Sequence, residues 1–166
     1  YNDVYNFDFG AEAIAVSHVK DSDLAWLKEN HNPDMVRLMA AGNEAEVQLS
    51  RVMRRESFFT GRPVLYEIPS MWMSLANASY YVIYCGTKSA DRDTDEFNEK
   101  DGDNVKKRDF TGLDFTAWIY DLNRPDEPYQ ARGVHPSGAG ADRYIRYSDL
   151  TDSEKKYLRI TGYLTL

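Results

Sequence analysis

Hydrophobic positions along the chain recur at helical rather than strand spacing. Between residues 33 and 58, apolar and small side chains step by three and four positions, which is the period of one helix face. Asn32 is a favourable N-cap and Pro33 a favourable first helical residue. The pattern predicts a helix over 33–58 with one core-facing stripe. The stripe consists of Met35, Leu38, Gly42, Ala45, Leu49 and Val52.

The middle of that stripe is narrow, because it holds only the small residues Ala41, Gly42 and Ala45. Small side chains allow a second helix to approach closely. We therefore expect a packing face there rather than a cofactor groove.

The uncharged segment 68–87 has two interpretations. Its 20 residues match the length of a membrane-spanning helix, and Trp72 near one end with Tyr84 near the other resembles an aromatic belt. Pro69 and several serines make the segment only moderately apolar. We expect a central bundle helix that is buried on all sides, with a membrane-embedded or interfacial helix as the alternative.

Three shorter helices are indicated by caps and spacing. The last of them begins at a capping box, in which the threonine and the glutamate each satisfy a backbone donor, and a glycine is expected to end it. The helices are predicted from Asp21-Ser22 to Asn30, from Leu113 to Leu122, and from Thr151-Asp152-Ser153-Glu154 to Gly162.

Residues 89–104 are interpreted as a polar break in the helical pattern. The spacing Asp91-x-Asp93-x-Asp95 resembles the start of a calcium loop, but Glu96 and Gly102 occupy positions that require glycine and glutamate. A solvated acidic loop is therefore expected. Strand signals are weak and confined to Ala13–Val19 and Val64–Ile68.

These elements predict a mainly α fold, a helical bundle-like domain with long ordered loops and little or no sheet. The 166 residues fit one domain over residues 1–166. The first residue is Tyr1, and an apolar stretch closes the sequence at Leu166. The chain is expected to be a fragment or a processed part of a longer protein.

Composition excludes several classes of protein. A hydrophobic content of 42% with 13% aromatic residues indicates a packed core rather than disorder. The net charge of −7 argues against a nucleic-acid binder, which needs a basic footprint. The basic run Lys106-Lys107-Arg108 is expected to be solvated surface. Cys85 is the only cysteine, so no intrachain disulfide can form, and its apolar surroundings predict a buried, inert thiol.

Residues 123–142 form the most unusual segment of the sequence. They hold three of the six prolines and three of the ten glycines, and they show neither helical nor strand period. Structureless loops of this length are uncommon in compact domains and are usually functional or disordered. Disordered linkers are poor in aromatics, whereas Trp118, Tyr129 and Tyr144 lie in or beside this segment. An ordered functional loop is predicted.

The loop supplies the candidate site residues. His135 lies between Arg132 and Ser137, and an acid/base pair with Asp121 or Asp114 is conceivable. The same arginines could instead form salt bridges that hold the loop in place, which we favour. The catalytic candidates are His135, Ser137 and Asp121, and the binding candidates are Arg132, His135, Arg143 and Tyr129.

No histidine falls in a metal-binding spacing, and no phosphate-binding or dinucleotide motif is present, so no metal or cofactor is predicted. Two functions follow. The first is a non-enzymatic interaction or structural domain of a larger, bacterial envelope- or membrane-associated protein, in which the loop contacts a protein partner, adjoining segments of its own chain or a membrane. The second is a hydrolase-like enzyme with an acid/base site around His135.

Overall fold

The computed structural model describes residues 18–61, 67–101, 104–106, 108 and 113–164. Within these residues the chain forms six α-helices and two 3-10 turns. The helices are α1 (Asp21–Asn30), α2 (Asn32–Thr60), α3 (Glu67–Cys85), α4 (Ser89–Asp101), α5 (Asp114–Asn123) and α6 (Asp152–Leu164), and the 3-10 turns are Tyr129–Arg132 and Tyr147–Asp149.

The mainly α, bundle-like fold predicted from the sequence is confirmed. Helix α2 contacts α1, α3 and α5, and α6 packs on α3 and α5. Within the described residues, strand pairing is limited to one isolated bridge between Val134 and Ala141. The candidate strands at 13–19 and 64–68 fall largely outside the described residues.

Helix α2 begins and ends close to the predicted positions, but its predicted core face is wrong. The buried residues are Met35, Met39, Ala40 and Ser50, whereas Leu38 and Leu49 are each 48% exposed. A helical period that starts at Met35 is compatible with either position 38 or position 39, and contact with α3 and α5 selects the second. The buried face of α2 is therefore rotated by about one residue relative to the predicted face.

The predicted close helix approach at the small residues is also wrong. A Cβ added to Gly42 would meet no atom within 4 Å, and Ala41 and Ala45 are exposed. Gly42 borders an open cleft instead of a helix contact.

Helix α3 is buried on one side only, which corrects the expectation of burial on all sides. Ala78, Val82 and Cys85 are buried, whereas Trp72, Met73 and Tyr80 are largely exposed. Burial raises the pKa of the Cys85 thiol strongly, as expected for an inert cysteine. None of the helices described, α3 included, is long and apolar enough to cross a membrane.

Helix α4 replaces most of the expected acidic loop at 89–104. Three of its aspartates accept hydrogen bonds from neighbouring segments: Asp95 from Arg146 Nε at 2.7 Å, Asp93 from the Tyr84 hydroxyl at 2.6 Å and Asp91 from the Ser148 amide at 3.3 Å. Residues two apart on a helix face different directions, so these carboxylates do not converge. Among the described residues no group of three or more side chains could hold a metal ion.

The predicted capping box at the start of α6 is present. The Glu154 amide donates to Thr151 Oγ1 at 3.3 Å, and the Thr151 amide donates to Glu154 Oε2 at 2.7 Å. Gly162 does not end the helix, which continues to Leu164. Gly162 instead lies against α3, where an added Cβ would be 3.0 Å from Ile83 Cγ1. The absence of a side chain at Gly162 therefore allows α6 to pack closely on α3 and does not end the helix.

Candidate functional site

The 123–142 loop is ordered and folds back on itself. After the 3-10 turn Tyr129–Arg132, the amide of His135 donates to the carbonyl of Gly140 at 3.0 Å. Three positions in the loop adopt positive φ, which strains any residue with a Cβ, and all three are glycines. These are Gly133 (103°), Gly138 (80°) and Gly140 (76°).

Arg143 ties the loop to the N-terminal part of the domain. Its guanidinium is fully buried and donates from Nε to Asp21 Oδ1 at 3.0 Å and from Nη1 to the Arg108 carbonyl at 3.1 Å. It also donates to the carbonyls of Val19 and Val105. Asp21 in turn accepts from the Ala141 amide at 2.9 Å. A single arginine thus connects three segments that are remote in the sequence.

Arg108 is a second buried arginine in this network, so the expectation of solvated surface for 106–108 is wrong at this position. Its Nη2 donates to Ser137 Oγ at 3.0 Å and to the Ala139 carbonyl. A Cβ at Gly140 would collide with the Asp21 carboxylate and approach Arg108 Nη1 to 3.2 Å. The tight turn at Gly140 therefore depends on both its φ angle and this close approach.

A third buried cluster joins the loop to the end of α5. Asp121 Oδ1 lies 3.1 Å from Lys28 Nζ, and Asp121 Oδ2 forms an ion pair with Arg132 Nη2. Lys28 also donates to the Arg124 carbonyl at 2.7 Å, and Arg132 Nη1 donates to the Arg143 carbonyl at 3.1 Å. A cation at the carbonyl end of a helix interacts favourably with the helix dipole. Lys28 and Arg132 therefore hold the loop while compensating Asp121.

His135 and Ser137 contact each other directly. His135 is buried, and its Nδ1 lies 2.7 Å from Ser137 Oγ and accepts the Ser137 amide at 3.1 Å. Its Nε2 has no hydrogen-bond partner among the described residues. Desolvation, followed by the nearby Arg108 guanidinium, lowers the pKa of His135. The imidazole is therefore held neutral, with Nδ1 as an acceptor.

Tyr129 is completely buried beneath the loop. The Arg132 guanidinium lies 4.8 Å from its ring centroid, a cation–π distance. Desolvation raises the pKa of Tyr129 to about 12. The rest of the loop therefore packs on the buried ring of Tyr129.

The structure thus brings the six candidate catalytic and binding residues, in or beside the loop and at the end of α5, into one region of ion pairs, hydrogen bonds and ring contacts. It also places there Lys28, Asp21 and Arg108, which sequence reasoning missed. Each of these three is an ordinary charged residue within or beside a helix or a basic run, and no motif distinguishes it. Asp114, one of the predicted partners of His135, lies elsewhere.

Asp114 lies at the start of α5 and lines a cleft of about 340 Å³ between α2 and α3. Its Oδ2 accepts the Tyr81 hydroxyl at 3.2 Å, and the Tyr81 oxygen accepts the Asp114 amide at 3.0 Å. Desolvation raises the pKa of Asp114 to about 6, although the Tyr81 hydrogen bond opposes this shift. The carboxyl group can therefore exchange a proton in mildly acidic solution.

A larger cleft of about 590 Å³ adjoins this one and shares Asn43 and Phe115 with it. An aromatic row runs along its wall, with ring centroids 5.5 Å apart between Phe115 and Trp118 and 6.1 Å apart between Trp118 and Tyr157. Both clefts are open and have mixed polar and apolar walls. They are secondary candidates for a ligand site.

The most exposed apolar surface lies at the opposite end of α2 from the loop. We define the hairpin end as residues 51–60 of α2 together with residues 68–73 of α3. Ser50 Oγ donates to the Met71 carbonyl at 3.2 Å, which places Met71 of α3 beside the residue that precedes this stretch of α2. The exposed side chains are Phe58 (81%), Phe59 (78%), Trp72 (61%) and Met73 (72%).

Helix α6 packs against the C-terminal half of α3. Arg159 lies beside Gly86, and Gly162 lies beside Ile83, so α6 runs antiparallel to α3. Its final residues, Tyr163 and Leu164, are largely exposed. They follow Gly162, which lies beside Ile83 in the C-terminal half of α3, and so they lie outside the hairpin end.

No family model, curated protein or solved structure matches this chain.

Proposed function

We propose that the chain is a non-enzymatic interaction domain whose docking surface is the hairpin end. The observation that carries this proposal is the exposure of Phe58 and Phe59 near the end of α2 and of Trp72 and Met73 near the start of α3. Clustered exposed apolar side chains are typical of surfaces that another molecule covers. Phenylalanine, tryptophan and methionine are also enriched where partners meet.

The loop at 123–142 has the complementary role of a scaffold. Arg132 and Arg143 bond to carboxylates and carbonyls within the domain, and Tyr129 is fully buried. Side chains engaged in this way have few donors left for a partner. The contact function that the sequence suggested for the loop is therefore assigned to the hairpin end.

Micelles of a neutral, zwitterionic detergent provide a test, because they offer an apolar surface without net charge. Titration of the labelled protein, followed by amide chemical shifts, should give its largest changes at residues 51–60 and 68–73. Phe58→Ser/Phe59→Ser should weaken binding at least tenfold, since burying one phenylalanine side chain contributes about 1.5–3 kcal/mol.

The matched control is Leu38→Ser/Leu122→Ser, which removes two exposed leucines far from the hairpin end. This variant should bind micelles like the parent. Equal weakening by both double variants would contradict the proposal, as would chemical shift changes centred on 123–142.

A hydrolase-like function is the second candidate, favoured by the contact of 2.7 Å between His135 Nδ1 and Ser137 Oγ. In this arrangement the imidazole can accept the serine proton, which is the requirement for nucleophilic catalysis. Against it, no carboxylate orients His135 through Nε2 among the described residues, and Arg108 donates to the serine oxygen.

A fluorophosphonate probe distinguishes the two functions. An activated serine would be labelled covalently, and Ser137→Ala would abolish the labelling. On the interaction-domain proposal, the parent and Ser137→Ala are equally unreactive. Labelling of the parent that requires both Ser137 and His135 would establish the enzyme instead.

A further inference from the structure

We infer that the partner of the hairpin end is an anionic lipid surface, onto which the α2–α3 hairpin docks peripherally. This inference rests on the proposed function and adds the chemistry of the partner. It follows from the charged residues that surround the exposed apolar side chains.

Three arginines accompany the phenylalanines on α2. Arg51, Arg54 and Arg55 are exposed, and Phe58 follows Arg54 by four residues and Arg55 by three. Side chains at these spacings are neighbours on a helix surface. The hairpin end therefore displays cationic and aromatic groups side by side.

These arginines differ from those of the loop in having no ionic partner. Among the described residues none of Arg51, Arg54 and Arg55 forms a salt bridge, and Arg54 donates only to the Ser50 carbonyl of its own helix. By contrast, four arginines in or beside the loop are each paired with at least one carboxylate. These are Arg124 with Glu154, Arg132 with Asp121, Arg143 with Asp21 and Arg146 with Asp95.

The local charge is opposite to that of the whole chain. Residues 51–60 contain three arginines and one glutamate, and residues 68–73 contain no charged residue, whereas the chain carries a formal charge of −7. A protein of this net charge is repelled by an anionic surface except through a basic region. The hairpin end is thus a basic part of the described surface, which an anionic layer would attract.

The apolar groups at this end suit a lipid interface. Phenylalanine with arginine beside it on one helix surface is characteristic of helices that lie in the headgroup region. Aromatic rings enter the boundary between headgroups and acyl chains, while the guanidinium groups remain beside the phosphates. Docking of this kind requires the exposed apolar and cationic side chains of Phe58, Phe59, Trp72 and Arg55 to act together.

Flotation with two kinds of vesicle tests the inference. Vesicles containing phosphatidylglycerol should bind the parent much more tightly than vesicles of phosphatidylcholine alone, and added salt should weaken this binding. Arg54→Gln/Arg55→Gln should weaken binding to the phosphatidylglycerol vesicles about 25-fold, since each arginine near such a surface accounts for roughly a fivefold change in affinity.

The matched control is Arg37→Gln/Arg92→Gln, which removes the same charge from exposed positions outside the hairpin end. It should bind within about twofold of the parent, because distant charges are screened. An equal loss in this control, or equal binding of the parent to both kinds of vesicle, would overturn the inference. So would a stable dimer that Phe58→Ser/Phe59→Ser abolishes, because a second copy would then cover the surface.

The micelle titration distinguishes failure of the lipid inference from failure of the proposed function. Micelle binding through the hairpin end without a preference for anionic vesicles would retain the docking surface and exclude the lipid partner. Absence of binding to both would remove the docking surface as well.

Discussion

Asp121 shows how one buried carboxylate can organise a long loop. It lies between Lys28 and Arg132, and all three side chains are almost completely buried. Burying a charge is costly unless it is paired, and removing one partner leaves the others uncompensated. The stability of this cluster therefore depends on all of its members.

We predict that Asp121→Ala destabilises the domain by about 3–5 kcal/mol, because it leaves two buried cations without their carboxylate. Urea unfolding followed by circular dichroism measures this change. Asp34→Ala is the control, since Asp34 is 66% exposed and lies 3.8 Å from His31. Exposed pairs contribute at most about 1 kcal/mol. A similarly small loss of stability in Asp121→Ala would show that the cluster does not stabilise the fold.

His135 gives the loop a defined pH response. Its pKa is lowered in the folded protein by desolvation and by Arg108, so below about pH 6.5 the unfolded chain binds more protons than the folded one. The stability that neutral His135 contributes should be fully present above that pH and should be lost as the solution is acidified.

The comparison of the parent with His135→Gln isolates this effect. The pKa of Asp114 is raised to about 6, so that its contribution to stability falls as pH rises toward 6, which is the opposite direction. Both proteins contain Asp114, and their difference reports His135 alone. The parent should lose stability relative to the variant as pH falls from about 7 to about 5. Parallel pH profiles would contradict the prediction.

At the level of elements, helix α2 shows how far periodicity determines a packing face. Met35 belongs to both possible stripes, and the next turn offers either Leu38 or Met39. The sequence pattern alone does not distinguish them. Contact with α3 and α5 buries Met39 and leaves Leu38 half exposed.

Two neighbouring substitutions test this assignment. Met39→Asp should destabilise the domain by several kcal/mol, because it buries an unpaired charge. Leu38→Asp should change stability by less than about 1 kcal/mol, as is usual at exposed positions. Thermal unfolding of both variants provides the measurement. A larger loss of stability in Leu38→Asp than in Met39→Asp would favour the core face predicted from the sequence.

At the level of the whole molecule, the two ends of α2 have different character. A helix of 29 residues spans about 43 Å. One end carries the loop with its buried ion pairs. The other carries the exposed aromatic residues and arginines that form no salt bridge with any described residue. The domain is therefore polarised, with an internally bonded end and an end suited to docking.

This polarity predicts the pattern of limited proteolysis. The parent should resist cleavage within 123–142, because the backbone there is hydrogen bonded and held by Arg108, Arg132 and Arg143. Arg132→Ala should open the loop to cleavage by a protease of broad specificity. Mass spectrometry of the fragments identifies the sites. Rapid cleavage of the parent within 123–142 would show that these hydrogen bonds do not keep the loop ordered.

The sequence by itself determined the helical class, the ends of α2, the capping box of α6 and an ordered loop at 123–142. These features depend on local signals, such as periodicity, caps and the content of proline and aromatic residues, which act over a few residues. The loop candidates His135, Ser137, Arg132 and Arg143 could be proposed for the same reason, because they lie close together along the chain.

Only the tertiary structure decided which residues meet across the chain. Lys28 bonds to the Asp121 carbonyl 93 positions away, and Arg143 reaches Asp21 over 122 positions. No local pattern records such pairs. Asp95, on the helix that replaces the expected acidic loop, accepts from Arg146, which lies 51 positions away. Likewise, helix packing covers some apolar side chains and leaves others, such as Phe58 and Trp72, exposed.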